Sequence, residues 1–150
     1  MKLTLAASYA LNAIAYLATQ RGNSPMASHT IAAARGIPKR FLLKILKHLV
    51  SAGLLHSNKG PRGGYTLARP ASQISMLEVV EAIEGPIHGE APRLPLLERD
   101  ETQMTAKLGS VCQEAAEQAS KVFARVRMSQ LVSQLRVEPR DGSKSEAETA

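Results

Sequence analysis

The chain contains no tryptophan, and phenylalanine and tyrosine bring its aromatic content to only 3% of 150 residues. With so few large rings, the core has to be built mainly from Leu, Ile, Val and Ala, a composition that favours helices. The one cysteine, Cys112, excludes an internal disulfide and a cysteine-rich metal site within the chain. No apolar run approaches the roughly 18 residues that a membrane-spanning helix requires, so we expect no membrane contact.

The N-terminus lacks the apolar segment and cleavage site of a secretory signal peptide, and we expect a cytoplasmic protein. The sequence also lacks a nucleophile elbow, a phosphate-binding loop and the paired spacing of metal-binding histidines. We therefore expect a protein that is not an enzyme, with no catalytic residue, no metal and no cofactor.

Acidic residues are missing from the first 70 positions altogether. That segment carries ten of the 19 Lys and Arg residues, whereas all 13 Asp and Glu residues and the other nine basic residues follow it. A basic domain without carboxylates suits a polyanionic partner, because each Lys or Arg near a phosphate releases condensed counterions. The charge distribution therefore indicates a nucleic-acid partner, and a basic surface that serves only solubility is the simpler alternative.

The first 85 residues are predicted to fold as a winged helix-turn-helix domain. Apolar residues recur at helical spacing in three segments, at residues 5–20, 28–35 and 38–52. Gly36 is expected to end the second helix and Pro38 to open the third, which gives a helix-turn-helix. The third helix carries an apolar stripe that is expected to face the core: Phe41, Leu42, Ile45, Leu46, Leu49 and Val50.

Two strand-like segments, at residues 54–58 and 64–68, follow the third helix and flank a basic, glycine-rich turn. This pattern predicts a β-hairpin, the wing of the domain. Ser75 and Glu78 have the spacing of a capping box, which predicts the start of a fourth helix. Gly85 is expected to end that helix.

The remaining chain is predicted to form a loop at 86–103, a long helix at 104–135 and a disordered tail at 136–150. Apolar residues recur along the helix in steps of three and four: Met104, Leu108, Val111, Ala115, Ala119, Val122 and Val126. This stripe has few neighbours in so small a chain, so we expect a dimerisation helix that packs on a second copy. The alternative is that the helix folds back on the N-terminal domain. The predicted fold class is mainly α with a small β-hairpin wing.

In a helix-turn-helix, the second helix enters the major groove, led by its N-terminal residues. The candidate DNA-binding residues of this recognition helix are Pro38, Lys39, Arg40, Leu43, Lys44 and Lys47. Arg40 suits a bidentate contact to guanine, and Leu43, if exposed, suits contact with a thymine methyl group. Lys44 and Lys47 suit phosphate contacts, which position the protein without reading sequence.

The hairpin supplies a second set of candidate DNA-binding residues: Lys59, Pro61, Arg62, Gly63 and Gly64. Arg62 at the tip suits a narrow minor groove, which attracts arginine. The glycines allow close approach to the nucleic-acid backbone. Taken alone, the glycine pair is also what an ordinary hairpin turn requires.

Three stretches of the chain are similar to a known family: residues 1–10, 37–55 and 59–67. They resemble the start, the recognition helix and the wing of the Rrf2 family of bacterial winged-helix regulators, which includes the IscR, NsrR and CymR types. The resemblance covers about residues 1–87 well and the long helix loosely. It implies a sequence-specific transcriptional regulator, expected to be a repressor, that binds a palindromic operator in double-stranded DNA. It also implies a homodimer that is crossed through the long helix.

Many members of this family hold an iron–sulfur cluster on closely spaced cysteines in the loop before the long helix. Residues 86–103 contain no cysteine, so we expect a regulator without that cluster. Cys112 lies in the predicted long helix and is either a small buried hydrophobe or a thiol whose oxidation controls DNA binding. A non-specific nucleic-acid-binding protein is the other alternative. The sequence identifies neither the operator nor an effector.

Overall fold

The computed structural model describes residues 2–91 and 103–133. In chain order its elements are α1 (Leu5–Ala18), α2 (Ser28–Arg35), α3 (Lys39–Ser51), β1 (Leu55–Asn58), β2 (Gly64–Leu67), α4 (Met76–Glu84), α5 (Gln103–Arg125) and α6 (Met128–Val132). Short 3-10 turns at Arg21–Asn23 and Ala71–Gln73 lie in the connections. The predicted fold class, mainly α with a small β-hairpin, is confirmed. No helix in these two ranges is long and apolar enough to cross a membrane.

The first helix, α1, lies at the centre of the core. Thr4 caps it, because the Thr4 hydroxyl accepts a hydrogen bond from the Ala7 amide at 3.1 Å. Ala10, Ala13 and Ile14 of α1 are completely buried. Small alanine side chains allow close approach of neighbouring helices, and α1 packs against α2, α3, α4, α6 and β2. The positions of these elements therefore all depend on α1.

A tight turn joins α2 to α3 and forms the helix-turn-helix. Gly36 ends α2 in the left-handed conformation, with a φ of +63° that favours glycine. Ile37 is 4% exposed, and its amide donates to the Ala32 carbonyl at 3.0 Å, which fixes the turn to the core. Pro38 precedes the helix instead of lying in its first turn, and its carbonyl accepts from the Phe41 amide at 3.0 Å. The third helix therefore begins one residue later than predicted.

The wing is attached to the chain segment ahead of α2. β1 and β2 pair antiparallel along their whole length. In addition, the Met26 amide donates to the Tyr65 carbonyl at 3.0 Å, and the Tyr65 amide donates to the Met26 carbonyl at 2.9 Å. The side chain of Asn23 bonds to both the amide and the carbonyl of Leu67, each at 3.1 Å. The hairpin is thus held along β2 by the segment that leads into the helix-turn-helix.

This attachment explains the glycine pair of the hairpin. Gly64 has a φ of +149°, and a Cβ atom there would lie 2.5 Å from the Met26 carbonyl. A Cβ atom at Gly63 would lie 2.3 Å from the Asn58 carbonyl oxygen, and the Gly63 amide donates to the Gly60 carbonyl at 2.9 Å. Any larger residue at either position requires the backbone to move. Both glycines therefore have a role inside the protein, whatever they contact outside it.

The predicted capping box at the start of α4 is confirmed. The Ser75 hydroxyl accepts from the Glu78 amide at 3.2 Å, and the Glu78 carboxylate accepts from the Ser75 amide at 2.8 Å. Arg69, which follows the wing, pairs with the same carboxylate at 2.8 Å. Burial raises the pKa of the Glu78 carboxyl, but the hydrogen bonds from Arg69 and Ser75 outweigh burial and leave that pKa below its usual value. The wing is therefore linked to α4 by an ion pair.

The C-terminal helix differs from the single helix predicted over residues 104–135. α5 stops before Val126, and a separate short helix, α6, begins at Met128. Between them, the Met76 amide donates to the Val126 carbonyl at 2.8 Å, and the Met128 amide donates to the Ile74 carbonyl at 2.9 Å. These bonds engage backbone groups that a continuous helix would pair within itself. The prediction of one uninterrupted helix is therefore wrong at this bridge.

The end of the C-terminal region returns to the N-terminal domain. Met128 is completely buried, and α6 packs against α1. Ala116 and Phe123 of α5 are buried on the side that packs against α4. Folding back, the alternative interpretation of the long helix, thus describes α6 and one face of α5.

Two of the predicted segments fall partly or wholly outside the described residues. The structure describes the predicted loop at 86–103 only to residue 91 and again at Gln103, where α5 begins. Residues 86–91 contain no helix or strand. The predicted disordered tail, 136–150, lies outside the described residues.

Replacement of Met128 by alanine should lower the free energy of unfolding by about 2–5 kcal/mol, because it leaves a cavity in the core. Met104→Ala is the matched control, since that side chain is 76% exposed and its loss should change the free energy by less than about 0.5 kcal/mol. Urea denaturation at several protein concentrations separates folding from self-association. Equal losses for the two variants would contradict the burial of α6.

A second pair of variants tests the attachment of the wing. Gly64→Ala and Gly60→Ala both place a side chain at positive φ, at a cost of about 1–2 kcal/mol. Only Gly64 also meets backbone atoms, so Gly64→Ala should lose about 1–3 kcal/mol more. Urea denaturation gives the free energies, and hydrogen exchange at the Met26 and Tyr65 amides should accelerate in Gly64→Ala alone. Identical behaviour of the two variants would argue against the close contact with Met26.

Candidate nucleic-acid interface

The side chains of α3 are divided between the core and solvent. Leu42, Ile45, Leu46 and Leu49 are buried. The opposite side, called here the outer face of α3, consists of exposed residues: Lys39, Arg40, Leu43 and Lys47. Leu43 is 43% exposed, which meets the condition set for a thymine contact. Pro38, the first candidate of the recognition helix, is exposed at the N-cap of α3.

Phe41 does not follow the prediction that it faces the core. Its side chain is 59% exposed, whereas Val50, at the other end of the predicted stripe, is half-buried against the core. The physical reason is the width of the apolar stripe, which spans more of the helix circumference than the core can cover. Phe41 lies at the edge of that stripe and lines a cavity between α1, α3 and α4.

Lys44 and His48 lie at the border between the outer face of α3 and this cavity. They are four residues apart and therefore neighbours on one side of the helix. Both are exposed, and both line the cavity together with Phe41. Lys44 is thus less central to the outer face than the sequence predicted, because it has apolar neighbours on one side.

The wing tip is exposed at Lys59, Pro61 and Arg62. β1 follows α3 closely in the chain and packs against it, so the recognition helix and the wing belong to one unit. Gly63 and Gly64, the other two wing candidates, are partly buried by the contacts described above.

The basic side chains of α3 and the wing make no ion pair within residues 2–91 and 103–133. Over those ranges the one ion pair joins Arg69 to Glu78. The first 70 residues contain no carboxylate that could neutralise them locally. This surface therefore keeps a concentrated positive charge, and Arg40, Lys47 and Arg62 are available to an anionic partner.

The chain matches the Rrf2 family, described as iron-dependent transcriptional regulators, over residues 3–134. Iron in such proteins requires thiolate, imidazole or carboxylate ligands that lie close together. In the described part of the chain, no three His, Cys, Asp or Glu residues are grouped to hold a metal. The chain supplies a single thiol, and residues 86–103 supply none. The residues present therefore do not fit a cysteine-ligated iron centre within one chain.

Cys112 lies on α5 and is half-buried, with a free thiol. Gly89 crosses α5 at this position so closely that a Cβ atom there would lie 2.0 Å from the Cys112 carbonyl oxygen. His88 and Glu90, which flank Gly89, are exposed. The loop thus contacts the helix backbone beside the thiol, and oxidation of Cys112 as a control of DNA binding stays a prediction.

Named relatives cover much of the chain. An rrf2-like HTH-type transcriptional regulator of Rhodobacter capsulatus is 41% identical over 133 residues, which are 87% of this chain and 84% of that protein. An HTH-type transcriptional regulator of Mycobacterium tuberculosis is 40% identical over 87 residues, 58% of this chain and 54% of that protein. With the mycobacterial relatives, the chain thus spans about half of the relative's length.

Solved structures share the fold. CymR, the global cysteine regulator of B. subtilis, superposes with a TM-score of 0.71 at 25% identity, over 89% of this chain and 98% of that one. IscR of T. potens superposes with a TM-score of 0.70 at 22% identity, over 89% of this chain and 88% of that one. The family and these relatives are transcriptional regulators and not enzymes. The chain belongs to the Rrf2 family of winged helix-turn-helix transcriptional regulators.

Proposed function

We propose that this DNA-binding regulator acts as a homodimer that reads a palindromic operator through α3 and the wing, and represses transcription by occupying that operator. The observation that carries the proposal is the outer face of α3, which is exposed, basic and free of carboxylates. Lysines and arginines at such a surface bind DNA phosphates and release counterions. The exposed start of α3 is the part of a recognition helix that reaches base edges.

The outer face of α3 combines two kinds of contact. Arg40 lies in the first turn of the helix and has the five-donor fork that recognises guanine in the major groove. Leu43, one turn further, offers an apolar surface to a thymine methyl group. Lys39, Lys44 and Lys47 neutralise phosphates on either side and set the register of the helix on the duplex.

The wing adds a contact outside the major groove. Arg62 at the tip inserts into the adjacent minor groove, where narrow A·T stretches concentrate negative potential. Lys59 approaches the phosphates beside it, and Pro61 stiffens the tip. Because the Met26–Tyr65 bonds hold β2, the wing keeps a fixed position relative to α2 and α3.

The dimer is proposed to form through the exposed apolar stripe of α5. Met104, Leu108, Val111 and Val122 are between 47% and 76% exposed, although all four are apolar. They lie on one side of the helix, apart from Ala116 and Phe123, which are buried against the domain. Packing this stripe on the same stripe of a second chain removes it from water. Each α5 is fixed to its own domain, so the dimer fixes the distance between the two α3 helices.

The test of sequence-specific binding is selection of bound sequences from a random duplex library, with purified protein freed of metal. A palindrome with half-sites about one helical turn apart, or somewhat more, is expected. Its affinity should exceed that of random DNA by at least about a thousandfold at a stated salt concentration. No enrichment, with equal affinity for all duplexes, would support the alternative of a non-specific nucleic-acid-binding protein.

Two alanine variants separate reading from charge neutralisation. Arg40→Ala should relax sequence preference at one base pair per half-site, a loss of about 1–3 kcal/mol of discrimination. Lys47→Ala should weaken all sequences alike and reduce the slope of log affinity against log salt by about one unit. Lys121→Ala, an exposed lysine on α5, is the control and should change neither. A uniform loss in both variants would refute this division of roles.

The apolar stripe of α5 predicts the effect of a charge. Leu108→Arg should shift the chain from dimer to monomer, because two arginines would face each other across the stripe. Ser110→Arg places the same charge on the solvent side of α5 and should leave the dimer intact. Sedimentation equilibrium measures both. Unchanged mass in Leu108→Arg would exclude this stripe as the interface.

A further inference from the structure

The cavity between α1, α3 and α4 has a volume of about 510 Å³, within the range of small-molecule sites. Its walls are apolar and come from all three helices: Leu5, Ala6, Tyr9, Phe41, Ile45 and Ile83. Two of these side chains, Leu5 at 66% and Phe41 at 59%, are largely exposed at its mouth. Apolar surface left open in this way favours an occupant with an apolar body.

The charged groups at the mouth have one sign on the α3 side. Lys44 and His48 line the cavity and are neighbours one turn apart on α3. No carboxylate is among the lining residues. The nearest acidic partner of a lining residue is Glu84 at the end of α4, and its carboxylate accepts from the Thr4 amide at 3.1 Å and the Thr4 hydroxyl at 2.6 Å. Thr4 therefore occupies one oxygen of that carboxylate, and Lys44 keeps no partner of its own among the described residues.

We propose that this cavity binds a small organic anion with an apolar body, such as an arylalkyl carboxylate. The body lies against Tyr9, Phe41 and Ile83, and the carboxylate accepts a charge-assisted hydrogen bond from the Lys44 ammonium group. His48 offers a second donor beside it. The chemistry is complementary in both respects, since an apolar wall and a cation meet at one opening.

The position of Lys44 links this site to DNA, and this part of the proposal rests on the proposed function. Lys44 lies at the border of the outer face of α3, where it neutralises a phosphate. A carboxylate in the cavity competes with that phosphate for the same ammonium group. Binding of the anion should therefore weaken DNA binding about tenfold, and by linkage DNA should weaken binding of the anion by the same factor.

Isothermal titration with naphthylacetate and with its uncharged analogue naphthylacetamide tests the site on the full chain without DNA. The acid should bind about tenfold more tightly than the amide, because the two share the apolar body and differ in charge. Lys44→Met should reduce the acid to the affinity of the amide. Ala6→Leu, which fills the cavity, should weaken both ligands about tenfold or more.

Three results would overturn the proposal. Equal affinity of acid and amide would remove the role of Lys44, and binding unaffected by Ala6→Leu would place the ligand elsewhere. Absence of binding to wild type, with binding in Leu108→Arg, would show that a second copy fills the cavity. Failure of the proposed function is distinguishable, because a chain that binds naphthylacetate but no DNA keeps the site and loses only its link to DNA.

A final arm measures operator binding with and without naphthylacetate. The acid should weaken DNA binding by wild type about tenfold, and the amide at equal occupancy should have little effect. In Ala6→Leu, which lies outside the DNA-binding residues, DNA affinity should stay at the wild-type value in the presence of the acid. An equal effect of acid and amide on DNA binding would contradict competition for Lys44.

Discussion

The packing of α1 is the constraint on which the rest of the structure depends. Its buried face is made largely of alanine, so neighbouring helices approach its backbone closely, and five other elements rest on it. Helix α3, which carries the DNA-binding surface, and α6, which ends the C-terminal region, both contact this one helix. The protein has few aromatic residues with which to fill larger gaps. A shift of α1 would therefore move the recognition helix and the C-terminal region together.

Charge and fold are separated along the chain in a way that serves DNA binding. The acidic residues begin with Glu78, whose carboxylate pairs with Arg69 and caps α4. Before that point, polar side chains solve structural problems with neutral groups, as the Thr4 hydroxyl and the Asn23 amide do. The basic residues of α3 and the wing are therefore not required for these internal contacts, and their charge is available to phosphates.

Local signals made much of the fold predictable, and contacts between distant segments explain what was missed. Gly36, Pro38 and the Ser75 capping box act within a few residues of their own position, and each marks a helix end correctly to within one residue. The break before α6 depends on bonds to Ile74 and Met76, some fifty residues away in sequence, and no glycine or proline announces it. The exposure of Phe41 likewise depends on how far α1 and α4 cover α3. Periodicity identifies an apolar side chain but not the neighbour that covers it.

The bridge between Ile74–Met76 and Val126–Met128 has a consequence for protein engineering. It places the last described helix inside the core of the DNA-binding domain, so the chain has no hinge at which a reader module ends and a dimerisation module begins. A chimera that joins the first 85 residues to a foreign dimerisation helix would lose Met128 and leave a hole beside α1. Specificity is therefore better exchanged by grafting the outer face of α3 onto a relative than by fusion of whole segments.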